Sequence, residues 1–209
     1  MITVITDKLI LDNKSDQVSE AMELTEQFIE KFGLKGKKAI HLRLLVEETL
    51  GMAKAMMNDY QAMIHIEGDD KGCRICLTAK TIMDAAKKSG LLGVSSSGKN
   101  AAVKGFMSKL GDIIENGILN YDEVMRMQQE YGGTSPDLFG LGMGASPGMD
   151  SACIWTLESY RDSLEEKRDE VEASEAWDEL EKSIVASIAK NVTVGIKKDR
   201  VDMVIELDI

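Results

Sequence analysis

Apolar residues recur along this chain in two rhythms, one of about three and a half and one of two. Ile2, Val4 and Ile5, then Leu9, Ile10 and Leu11, predict an extended N-terminal segment, either one strand with a bend or a short hairpin. Ser15 and Asp16 are good N-caps, and Val18, Met22, Thr25, Phe28, Ile29 and Phe32 follow at helical spacing until Gly33 ends the run. A second helix is predicted from about Lys37 to Met57, with Leu42, Leu45, Val46, Thr49, Met52, Ala53 and Met56 as its stripe. The rhythm then changes. Ala62, Ile64 and Ile66 alternate with Met63, His65 and Glu67; Asp69-Asp70-Lys71-Gly72 is turn chemistry; Ile75, Leu77 and Ala79 alternate with Arg74, Cys76, Thr78 and Lys80. The C-terminal stretch repeats the device, with Val192, Val194 and Ile196, a turn at Lys197-Lys198-Asp199-Arg200, and Val201, Met203, Ile205 and Leu207.

Strands that are apolar on one face only imply an antiparallel or mixed sheet with helices over that face. The expected fold is therefore an α/β two-layer sandwich of a mixed sheet covered by helices on one face, in a single domain. The two hairpins should share that sheet, with helices starting near Asp16, Lys37 and Asn100 packed on it. The helix from Asn100 to about Gly117 carries Ala102, Val103, Phe106, Leu110 and Ile113 or Ile114. Tyr131 to Met149 holds six glycines and both prolines, which predicts a long loop or lid. Leu157 to Lys190 is helix-forming again, with Trp177, Leu180, Ile184 and Ile188 on an apolar edge. Glu165, Glu166, Asp169, Glu170, Glu172 and Glu175 are interleaved there as a solvated face.

Composition narrows the function classes. The chain has 209 residues, 44% of them hydrophobic, with 36 acidic against 25 basic side chains and a formal net charge of −11. Such an acidic chain repels phosphate backbones, so neither nucleic acid nor an anionic membrane is an expected partner. No apolar run approaches the roughly 18 residues of a membrane span. Three cysteines cannot complete a disulfide framework, and the N-terminus lacks the basic-then-apolar order of a signal peptide, so a cytoplasmic location is expected.

Few residues carry candidate chemistry. Glu48 lies three residues after Leu45 and four before Met52, on or beside the apolar stripe. A carboxylate there is either a boundary glutamate with its head in water or a partly desolvated base. Gly93-Val94-Ser95-Ser96-Ser97-Gly98-Lys99-Asn100 nearly matches a P-loop, but Asn100 stands where a magnesium-binding hydroxyl belongs, and no strand is predicted just before it. What remains is a Ser/Gly/Lys loop entering a helix N-terminus, suited to an anion or simply a capped loop. Cys73 and Cys76 should point to opposite faces of a strand, and neither His41 nor His65 clusters with another ligand type in the sequence, so no metal site is expected. The 13 methionines fall mostly on helical stripes and in the glycine-rich loop, as core or as an adaptable contact surface.

The run Leu42-Arg43-Leu44-Leu45-Val46-Glu47-Glu48-Thr49-Leu50-Gly51-Met52-Ala53 resembles the N-box helix of the GHKL (histidine-kinase-like) ATPase superfamily, and within it the small anti-sigma-factor serine kinases. The resemblance covers roughly residues 1 to 116 and 190 to 209, and leaves about 120 to 190 as a helical and Gly-rich insertion. It implies a cofactor-binding pocket for ATP or ADP. Glu48 would take the place of the glutamate that positions a water or hydroxyl, and Met52 that of the magnesium-binding asparagine. Asp84 would stand for the aspartate of the family's second motif, whose glycines are missing here, and Gly98, Lys99 and Asn100 would lie in the lid near the phosphates. A thioether is too soft to replace an amide oxygen on Mg²⁺, so Met52 departs from the pattern where metal is held. Two function readings follow: a nucleotide-binding regulator, with ATP-dependent serine kinase or ATPase activity if it turns over at all, or an interaction module that kept the fold and lost the site. In the second, the Met/Gly loop and the acidic helix are surfaces for a regulatory protein partner or a homodimer.

Overall fold

The computed structural model describes residues 4–11, 17–56, 62–80, 153–197 and 200–208, together with Leu110, Ile113, Ile114 and Gly117. Strands β1 (Val4–Ile5) and β2 (Leu9–Leu11) are followed by helices α1 (Val18–Phe32) and α2 (Lys37–Met56) and by the hairpin β3 (Ala62–Asp69) and β4 (Gly72–Lys80). Later come β5 (Cys153–Thr156), α3 (Leu157–Glu166), α4 (Val171–Lys182), α5 (Ile184–Ile188), β6 (Asn191–Lys197) and β7 (Arg200–Leu207). All seven strands belong to one sheet in the order β1-β3-β4-β7-β6-β5, with β2 also on β3.

The two hairpins share this sheet, as their one-sided alternation requires, and meet where β4 pairs with β7 in the register Ile75↔Ile205 and Leu77↔Met203. The expectation of a mixed sheet is corrected: every described pairing is antiparallel. The connections account for it. Between β2 and β3 the chain makes two helical passes, α1 and α2, and between β5 and β6 it makes another pair, α3 and α4, before the short α5. An even number of passes returns the chain to the end of the sheet it left, so the next strand runs in the opposite sense to the one before the helices.

The N-terminal segment is one bent strand and not a hairpin, since β1 and β2 both pair with β3. From Val4 to Leu9 it takes five steps while β3 takes four, from Gly68 to Ile64. One residue is extra, and such a bulge flips the facing of whatever follows. This brings Val4 on one side of it and Leu9 and Leu11 on the other all into the core. Thr6 closes the gap: its N–H donates to Ile66 O and its hydroxyl accepts from Ile66 N–H, both at 2.9 Å.

One face of the sheet carries the core. Ala62, Ile64, Ile66, Ile75, Leu77, Val194, Ile196, Met203 and Ile205 are buried with Phe28, Ile29, Leu42, Leu45, Val46 and Ala53 of the first two helices. Gly33 ends α1 in the left-handed conformation (φ 80°), with its N–H on Ile29 O, as its position after the stripe predicts. The cap at the other end differs from expectation. Gln17 occupies the N-cap position without a side-chain capping bond, and Ser15 and Asp16 lie outside the described residues. Gly68 lets α1 close on β3, because a Cβ there would stand 2.6 Å from the Phe32 ring and 2.8 Å from the Phe28 ring. Of the predicted Asn100–Gly117 helix, Leu110, Ile113, Ile114 and Gly117 are helical and buried, with Gly117 against the Ile196 side chain.

The stretch expected to be helical from Leu157 to Lys190 is three helices. Thr156 caps α3 by accepting from Ser159 N–H, and Ser183 both ends α4 and caps α5 by accepting from Ala186 N–H. The expected apolar edge is thus split: Trp177 and Leu180 lie on α4, Ile184 and Ile188 on α5. All six acidic residues named for the solvated face are exposed. Strand β5, just before α3, was not foreseen; it pairs with β6 and sets the fully buried Trp155 opposite Val194.

Candidate functional site

Glu48 sits on the side of α2 that faces the core. It is only 7% exposed, between the buried Leu45 and Met52, whereas Glu47 points to solvent. Of the two alternatives open for Glu48, a head in water is therefore corrected to a buried carboxylate. Helical spacing causes this, since positions three after Leu45 and four before Met52 share one face. Thr49 beside it turns its hydroxyl back to donate to Leu45 O at 2.6 Å. Met52 is 1% exposed and belongs to the core cluster. The remaining sequence-derived site residues, Asp84, Gly98, Lys99 and Asn100, lie outside the described residues, as does the Gly-rich segment 131–149.

A cleft of about 140 Å³ opens at the turn end of the β3–β4 hairpin, lined by Asp69, Lys71, Arg74, Lys190, Glu206 and Asp208 among others. Small-molecule sites usually offer roughly 300–1,000 Å³, and neither Glu48 nor Met52 lines this cleft.

The opposite face of the sheet carries a second cluster. His65 stands directly across from Cys76 in the β3–β4 ladder, and Glu67 follows His65 on the same face. The side chains of His65, Glu67 and Cys76 can each bring one ligand-type atom within 4.8 Å of the other two. His65 Nε2 lies 3.1 Å from Glu67 Oε1, and the other carboxylate oxygen of Glu67 accepts from Arg74 Nη2 at 3.3 Å. His65 Nδ1 is buried with no hydrogen-bond partner among the described residues. The expectation that His65 has no ligand type beside it is thus corrected. The signal was in the turn: once Asp69 pairs with Gly72 across Asp70-Lys71, the register places His65 opposite Cys76. As expected of residues three apart on a strand, Cys73 points into the core and Cys76 to the other face.

Burial pushes the Cys76 thiol up to about 11, with the neighbouring Glu67 carboxylate adding to it. A thiol held that far above the usual range is poorly activated as a nucleophile, so the His–Cys–Glu grouping does not read as a hydrolytic triad.

No protein-family model, no curated protein and no solved structure matches this chain. Among the described residues, no helix is long and apolar enough to cross a membrane.

Proposed function

We propose that this chain is a regulatory protein of the histidine-kinase-like ATPase type, akin to the anti-sigma-factor kinases, that holds ATP or ADP without turning it over. One observation carries the reading: Glu48, a carboxylate only 7% exposed, is buried on α2 between Leu45 and Met52, in the N-box-like run where that family keeps its base. Catalysis is left out because position 52 supplies a thioether in place of an oxygen ligand for Mg²⁺.

A second reading rests on Met52 itself. At 1% exposure it serves the core, which favours an interaction module that keeps the fold without a nucleotide. Thermal unfolding with and without nucleotide separates the two. A bound ligand adds about 2.7 kcal/mol at a hundredfold excess over Kd. For a chain of this length that corresponds to a rise of roughly 5–10 °C in Tm. The nucleotide reading expects this rise with ATP or ADP, unchanged by Mg²⁺ and without hydrolysis. No rise at millimolar nucleotide overturns it in favour of the interaction module. A magnesium-dependent rise with turnover that Glu48→Ala abolishes overturns both.

A further inference from the structure

The outer face of the sheet offers a set of donors that the α2 site does not use. We propose that His65, Glu67 and Cys76 form a binding site for a single divalent transition-metal ion of the zinc type, through one imidazole nitrogen, one carboxylate oxygen and the thiolate. Two observations converge. The donors already lie within 4.8 Å of one another on two paired strands of a seven-stranded sheet, so the backbone that carries them is fixed before any ion arrives. The 3.1 Å between His65 Nε2 and Glu67 Oε1 is close to the separation of two neighbouring ligands, each about 2.0–2.2 Å from one zinc ion in tetrahedral geometry. The ion takes Nε2 in place of its hydrogen bond to Glu67, and the proton of the neutral ring then sits on Nδ1.

The donor chemistry selects the ion. A thiolate with an imidazole suits zinc, cobalt or copper, and discriminates against Mg²⁺ and Ca²⁺, which take oxygen. The charges balance as well: thiolate and carboxylate neutralise the two positive charges of the ion, and the Cys76 proton leaves to solvent as the Sγ–metal bond forms. The fourth position belongs to water or to a donor brought by a partner. Arg74, whose Nη2 lies 3.3 Å from Glu67 Oε2 and 3.5 Å from Asp69 Oδ2, holds the far oxygen of Glu67 and thereby orients the near one. This site lies on the sheet face opposite Glu48, so its existence does not depend on the nucleotide reading.

Titrating the untagged, metal-stripped full chain with Co²⁺ tests it, because a cobalt–thiolate bond gives a charge-transfer band in the near ultraviolet. The expected result is a band that saturates at one equivalent, is reversed by Zn²⁺, and survives Cys73→Ala and Cys153→Ser. It should vanish in Cys76→Ser, and His65→Ala and Glu67→Gln should each weaken cobalt binding about tenfold or more. In the unsubstituted chain, Zn²⁺ should also protect Cys76 from alkylation, read at the Cys76 peptide by mass spectrometry, which needs no variant to fold. The proposal is overturned by the absence of a band, by a band that survives Cys76→Ser, by binding that His65→Ala and Glu67→Gln leave unchanged, or by alkylation of Cys76 that Zn²⁺ does not slow.

Discussion

Position 52 is where the two functional readings meet a single side chain. Met52 is buried to 1% exposure among apolar neighbours. Met52→Asn puts an amide where a thioether packs, and we expect a loss of about 2–5 kcal/mol, measured by denaturant unfolding. An unchanged midpoint would mean that the residue borders a polar cavity and would strengthen the nucleotide reading. Cys73 makes a second residue-scale prediction. Burial raises its thiol to about 11, above its ordinary value, so the folded chain keeps a proton that the unfolded chain releases. Stability linked to Cys73 is therefore intact below the ordinary thiol range and declines as pH rises from there towards 11. The fall in Tm between pH 9 and 10.5 should be shallower in Cys73→Ala than in the parent chain, whatever their offset at neutral pH. Glu48 and Met52 were legible as positions on a stripe, because a period near 3.6 reports facing. Whether that facing meant cover or a wet edge was not legible, since burial depends on what other elements lie over the helix. The His65–Cys76 pairing was hidden for a related reason, as its neighbours are adjacent only across a ladder.

Among the elements, the hairpins were the most readable, because alternation and turn residues act locally and in agreement. The bend between β1 and β2 was readable only as one of two alternatives, since a short hairpin fitted the same apolar residues; the pairing of both pieces with β3, one residue out of step, decides for the bend. The break at Ser183 was missed. Helical spacing runs on from Leu180 to Ile184 without a glycine or proline, while the interruption rests on one buried hydroxyl. Ser183 accepts from Ala186 N–H at 3.2 Å and is 2% exposed, so water cannot replace it. Ser183→Ala should cost about 1–2 kcal/mol, whereas Ser183→Asp, which keeps an acceptor but adds a buried charge, should not restore the parent stability. Chemical denaturation of the two variants checks both expectations. Strand β5 was missed because Cys153–Thr156 is too short to display a period.

For the whole molecule, charge and topology act at different distances. The net charge of −11 is carried largely on exposed helix faces, including the acidic residues of α3 and α4, while the sheet's outer face sets Arg74 between Glu67 and Glu206. The one-sheet architecture could be read from the repeated one-sided alternation. Its antiparallel sense could not, because that depends on how many helical passes separate strands whose intervening sequence has no fixed length. The central ladder between β4 and β7 has a kinetic consequence. Thr78 and Asp202, which bond across it at 2.7 Å, are 124 positions apart in the chain. Until β7 arrives, the first hairpin presents the bare edge of β4, with Ile75 and Leu77 beside unpaired amides, to any other chain nearby. Joining two hairpins across so long a loop places the rate-limiting step late and makes it non-local, on a scale of milliseconds to seconds and not microseconds. Stopped-flow refolding followed by tryptophan fluorescence, with Trp155 fully buried in the native sheet, should show that delay. Raising protein concentration should lower the yield of native molecules, since the unpaired β4 edge competes between finding β7 and finding a neighbour.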